Sequence, residues 1–176
     1  MTTLNKAAAE VLPDFVVHAC TDVTGFGLLG HAAEMTEGSQ VSLIFHAGQI
    51  PILAHSLDLA AKGLSGGSRD NQIFLEPKVR IADGVDESRT NLLFDTQTSS
   101  GLLIAVTATD ADALHQKGVV AAALIGEVTQ TVTYTKCLHF LDFFCAFSEC
   151  ILLHFFSINT WRFRNYFCFS FHNFIL

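Results

Sequence analysis

The sequence predicts a mixed α/β fold, an α+β arrangement of one mixed sheet with flanking helices, and three observations predict it. Stretches of helical composition alternate with β-rich apolar runs along residues 1–130, an order that favours packed layers of both kinds over a helical bundle or an all-β sandwich. Half of the 176 residues are hydrophobic and 15% are charged, enough for a single real core. Glycine and proline punctuate the alternation, and all 12 glycines and all 3 prolines lie before Gln130.

The elements follow in order. Residues 2–11 read as a helix, because Ala7, Ala8 and Ala9 favour one and Pro13 ends it. The run "FVVHACTD" predicts a strand over residues 16–20 that delivers Asp22 to a bend. "LLGHAAEM" predicts a helix running towards Gly38. Alternation in "QVSLIFHA" predicts a strand. "IPILAHSLDLAAKG" reads as a helix with Pro51 in its first turn and Gly63 at its end. "GLSGGSRDNQ" is a loop by composition, and residues 79–91 are polar without a clear period. "NLLFDTQTSSGLLIAV" predicts two apolar strands joined by a polar turn. "TDADALHQKG" predicts a short helix closing at Gly118, and "VVAAALIGEVTQ" a final strand.

Beyond residue 130 the composition turns to Phe and Cys, without glycine or proline. This shift predicts one domain over residues 1–130 and a tail of different origin over residues 131–176. Residues 138–158 are long enough to span a bilayer. Asp142 and Glu149 lie inside that stretch, and a central carboxylate costs roughly 2.5–3.5 kcal/mol there. A membrane anchor therefore stands beside three other readings: a core helix, a partner-binding tail, and a stretch never selected as protein.

The net charge of −7 argues against nucleic acid and anionic membrane as main partners, since both require clustered Lys and Arg. The five cysteines show no CxxC spacing, and Cys20 stands alone among the first 130 residues. A reduced, cytoplasmic protein without a secretory signal is the expectation, with Cys20 a buried structural thiol.

The chemistry concentrates in "TDVTGFGLLGH", residues 21–31. Here a strand hands a carboxylate, Asp22, to a glycine bend just ahead of a helix. Helix N-termini attract phosphate, and a carboxylate becomes useful beside phosphate when it holds Mg2+. Thr21 and Thr24 would add hydroxyl contacts, and Gly25 and Gly27 would let the backbone approach a ligand. The alternative is structural: Asp22 caps the helix or makes an Asx turn. Spacing alone leaves both open, and the lysine of a P-loop is missing.

The same string resembles the signature in the C-terminal half of the selenophosphate synthetases, or selenide, water dikinases. "MTTLNKAAAE" is similar to the helix that opens that half and "GLSGGSRDNQ" to its glycine-rich loop. "DTQTSSGLLIAV" is similar to its DPQTSGGLL segment and "IGEV" to a strand near its end. The resemblance covers most of residues 1–130 and implies the C-terminal domain fold of the aminoimidazole ribonucleotide synthetase superfamily. It implies an enzyme that turns ATP, selenide and water into selenophosphate, AMP and phosphate. Asp22 then matches a Mg2+ ligand, with Thr21, Thr24, Gly25 and Gly27 about the nucleotide. The family's reactive Cys or selenocysteine, its Lys, its ATP loop and its other aspartates belong to an N-terminal half that these 176 residues do not contain. The chain alone is therefore expected to be inactive, working with an N-terminal domain or a full-length homologue, or persisting as a truncated non-catalytic one. Thr96 stands where the family has proline, which should loosen the turn. Ser100 stands where it has the second glycine, at a cost of about 1 kcal/mol if that position needs positive φ. Of the remaining polar residues, His31 reads as a capping or core histidine, with contact to a substrate group as the alternative. Arg69 and Asn71 read as loop residues within reach of phosphate or a domain interface, and Asp95 as a turn former without a catalytic role.

Overall fold

The computed structural model describes residues 4–116, 122–129, 135–138 and 165–170. Its elements in chain order are α1 (Lys6–Val11), β1 (Val17–Asp22), α2 (Gly27–Ser39), β2 (Ser42–His46), α3 (Ser56–Ala60), α4 (Gly66–Leu75), β3 (Val79–Ile81), α5 (Glu87–Phe94), β4 (Leu102–Thr107), α6 (Ala108–Gln116), β5 (Ala122–Thr129), β6 (Thr135–Leu138) and β7 (Asn165–Ser170). The strands form one sheet in the order β1-β4-β7-β5-β2-β6-β3. It is mixed: β1–β4, β4–β7, β7–β5 and β5–β2 pair antiparallel, while β6 runs parallel to both β2 and β3.

β4 shows why helices must lie on both faces. Leu102 to Val106 are all buried, and successive side chains of a strand point to opposite faces. Leu102, Ile104 and Val106 pack with Ala8 of α1 and with Ala111 and Leu114 of α6. Leu103 and Ala105 join the larger core of Leu28 and Leu29 from α2, Leu75 from α4 and Leu93 from α5. The expected mixed sheet with flanking helices is therefore the observed architecture.

Several local expectations are corrected. "GLSGGSRDNQ" is mostly helix: Ser65 is the N-cap of α4, its hydroxyl accepting the Ser68 N–H at 3.3 Å, and this cap sets the start despite two glycines. "NLLF" ends a helix and forms no strand, since Asp86 caps α5 by accepting the Arg89 N–H at 3.1 Å. Around Pro51 the chain is irregular, and only the short α3 follows. Strand β5 is not the last one, because β6 and β7 come from the tail. β7 lies between β4 and β5, so the tail shares the sheet of the preceding domain. The remaining tail, including the stretch considered as a membrane anchor, lies outside the described residues. Among the described residues no helix is long and apolar enough to cross a membrane.

Candidate functional site

β1 is an edge strand, and its residues alternate half-buried and exposed, with His18, Cys20 and Asp22 on the exposed positions. Cys20 is therefore exposed and not the buried thiol expected from its apolar neighbours. Desolvation, and then the Asp22 charge, push its pKa up, which disfavours the reactive thiolate.

Asp22 ends β1 with an exposed carboxylate, and its strand partner is Leu102. Nearby, the Thr21 hydroxyl donates to the Asp22 carbonyl at 3.1 Å. No side chain caps α2, whose N-cap is Phe26. Asp22 thus does not cap the helix, and among the described residues its carboxylate accepts no hydrogen bond. It stands as an oxygen donor open to solvent. One such donor suits a hard cation that completes its shell with water and phosphate, and it does not make a metal site alone. No group of three His, Cys, Asp or Glu able to hold a metal exists among the described residues.

The bend after Asp22 is fixed from behind. The Thr24 carbonyl accepts from Gly27 N and from Gln97 N, both at 3.0 Å, and Val23 N donates to Gly101 O at 3.0 Å. Asn71, buried on α4, donates to the carbonyls of Gly25 at 2.9 Å and Phe94 at 3.1 Å. It therefore points inward, away from the role of reaching for phosphate, while Arg69 is exposed. The glycines divide the work. Gly27 is buried at φ +68°, and a Cβ there would stand 2.6 Å from the Asp95 carbonyl oxygen. A Cβ on Gly25 would meet nothing within 4 Å, so the open side of the bend lies at Gly25.

Behind the bend lies a second carboxyl group. Asp95 is buried at the C-terminal end of α5 and accepts from the Ser68 hydroxyl at 2.5 Å. Ser68 Oγ also accepts from Thr96 N at 3.3 Å and lies 2.7 Å from Ser65 Oγ. Burial raises the Asp95 pKa, and the Ser68 and Thr96 hydrogen bonds partly oppose it. Leu59, Leu64, Asn91 and Asp95 line a cavity of about 150 Å³ between α3, α4 and α5. The Thr96 N–H reaches Ser68 Oγ at 3.3 Å, a bond proline could not make. Ser100 is likewise not at positive φ; among the described residues only Gln40 and His55 are non-glycine exceptions. Its hydroxyl is instead buried, without a hydrogen-bond partner among the described residues. The sequence reading missed Ser68 and Asp95 as a pair, since the contact spans 27 positions and only the Ser65–Ser68 spacing hinted at a cap.

Comparisons with known proteins place the chain in a family. The family model for the C-terminal domain of AIR synthase related proteins matches residues 1–135. The selenide, water dikinase of Pelobacter propionicus is 44% identical over 135 residues, which cover 74% of this chain and 39% of that protein. Selenide, water dikinase 2 of Peptoclostridium acidaminophilum is 44% identical over 133 residues, covering 73% and 38%. The enzyme of Myxococcus xanthus is 44% identical over 135 residues, with the same two shares. The chain thus spans less than two fifths of the length of these relatives.

Proposed function

The chain belongs to the AIR synthase related proteins as their C-terminal domain, and we propose that it serves the selenide, water dikinase reaction by holding Mg2+–ATP through Asp22. The observation that carries this reading is the exposed Asp22 carboxylate beside the open side of Gly25, ahead of a helix start that no side chain caps. Asp22 would supply one carboxylate oxygen to a divalent cation, whose charge would offset that of the phosphate groups, as phosphoryl transfer requires. Thr21 and Thr24 bring hydroxyls to the same bend. Gly27 serves by holding the bend against Asp95.

One carboxylate leaves most of the cation's shell to other groups, so selenophosphate formation needs the remaining aspartates and the reactive residue from protein outside these 176 residues. Alone, the purified chain given ATP, Mg2+ and selenide forms no selenophosphate detectable by 31P NMR, and a product signal would overturn that statement. In the same reading the protein is cytoplasmic.

The direct test titrates the chain with Mn2+–ATP and follows paramagnetic broadening of the amide resonances of Thr24, Gly25 and Gly27. Wild-type protein shows broadening that Asp22→Asn removes, while the thermal midpoint moves by less than the equivalent of about 0.5 kcal/mol, as for an exposed residue. Equal broadening in the variant would sink the assignment.

A further inference from the structure

The cavity between α3, α4 and α5 has a floor that folding alone does not explain. It measures about 150 Å³, and Leu59, Leu64 and Leu92 supply apolar wall. Leu59 is half exposed and Ser65 exposed, so they mark the mouth, whereas Leu92 and Asp95 are buried and form the floor. An apolar cavity of this size holds a molecule of about six heavy atoms, such as benzene.

Buried carboxylates are ordinarily paired with a cation. Asp95 is not, for among the described residues no Lys, Arg or His forms an ion pair with it. Its Oδ1 accepts the short bond from the Ser68 hydroxyl. Its Oδ2 meets only Gln97 Nε2, at 3.4 Å, and that nitrogen is shared with the Asp95 carbonyl at 3.5 Å. One oxygen thus holds the fold, and the other keeps unused accepting capacity. Asn91, which also lines the cavity, spends Nδ2 on the Ala60 carbonyl at 3.2 Å. Its side-chain oxygen has no partner among the described residues. Burial penalises the Asp95 carboxylate, and a cation beside it would offset that penalty.

These features select the occupant. An unpaired buried acid and a second acceptor call for a positively charged hydrogen-bond donor. Leucine side chains cannot complete the oxygen shell of a metal ion, but they suit an alkyl chain. We propose that this cavity binds a small primary alkylammonium, its ammonium on Asp95 and Asn91 and its chain among Leu59, Leu64 and Leu92. The site is separate from Asp22 and does not rest on the Mg2+–ATP reading.

Titrating the full chain with n-butylammonium chloride at pH 7, where an alkylamine is protonated, tests it through the amide resonances of Leu64, Ser65 and Leu92. Wild-type protein shows saturable shifts with a Kd of about 1 mM. n-Butanol and butyrate, of the same chain length, bind about tenfold more weakly or worse. Equal affinity for either overturns the proposal, and so does an absence of saturation up to about 100 mM amine. Asp95→Asn, which can still accept from Ser68, weakens amine binding about tenfold. Because Asp95 also supports the fold, Leu59→Lys is the second variant. Its half-exposed position tolerates the change, and its tethered ammonium competes for the cavity, again costing about tenfold in affinity. Unchanged affinity in either folded variant overturns the assignment. Asp22→Asn binds the amine as wild-type protein does, and a loss there would move the amine to the bend and overturn the cavity site.

Discussion

Asp22 and Asp95 each end a regular element, each leads into a turn of small residues, and the two turns are bonded to one another through Gln97 N and the Thr24 carbonyl. Their surroundings are nonetheless opposite. Asp22 is exposed, while Asp95 is 7% exposed and hydrogen-bonded to Ser68. A buried, bonded carboxyl group holds structure, and an open one is available to a ligand. On the proposed reading the front of the bend binds and the back holds structure, so substitutions on the two sides should separate those properties.

The largest effect is expected at the back. Gly27→Ala forces a side chain onto φ +68° and against the Asp95 carbonyl oxygen, and should cost about 3 kcal/mol or more in urea unfolding. Gly25→Ala, two residues away, meets no atom within 4 Å. It should leave the urea midpoint nearly unchanged while reducing Mn2+–ATP broadening, because its methyl group occupies the space the ligand needs. If the two alanines behave alike, the division of the bend fails.

Next in size is Asn71→Ala, which leaves the Phe94 and Gly25 carbonyls without their donor and should cost about 2 kcal/mol. Hydrogen exchange at the Gly27 and Gln97 amides, both bonded to the Thr24 carbonyl, should accelerate with it. Unchanged protection there would show that the Asn71 bonds do not hold the bend.

Ser100→Ala should raise stability by about 1 kcal/mol, since it removes a buried hydroxyl without a partner. Alanine keeps the Cβ, so the comparison isolates the hydroxyl from the added chain entropy of glycine. A destabilised variant would mean that the hydroxyl is bonded after all.

The smallest effect is the pH dependence contributed by Asp95. Burial raises its pKa above the ordinary 3.8, so the folded protein holds this proton more tightly than the unfolded chain. The resulting stability is fully present below pH 3.8 and is lost as pH rises through the folded value. Asp95→Asn, whose Oδ1 can still accept from Ser68, should remove that part of the slope in a series of urea midpoints. An identical slope in both proteins would show that Asp95 ionises alike whether folded or unfolded.

Much of the fold was legible where the signal is local. The β1 and α2 spans follow from "FVVHACTD" and "LLGHAAEM", and the alternation of "QVSLIFHA" yields β2. Reading failed where a cap outweighed composition. Ser65 starts α4 through two glycines, and Asp86 starts α5 through a polar run that ends in "NLLF". A single satisfied N–H at a helix start is worth about 1 kcal/mol, while the glycine penalty of similar size applies to a helix interior and Gly66 and Gly67 lie in the first turn. Burial was the other failure. Cys20 sits in an apolar run, yet it is exposed because β1 is the edge strand, and strand order is not a local property. The tail shows the same limit: "NYFCFS" has strand composition, but nothing in it says that β7 lies between β4 and β5.

By itself the sequence determined the family, the layered α/β architecture and the candidate carboxylate Asp22. Each of these is written in contiguous residues: a signature string, a period of hydrophobicity, a glycine bend. The tertiary structure alone decided which carboxylate is open and which enclosed, that Asn71 grips the bend from inside, and that Cys20 is exposed. These are matters of burial and of hydrogen-bond direction. Both depend on which distant surfaces meet when the sheet and helices pack, and a linear string does not encode that in any short window.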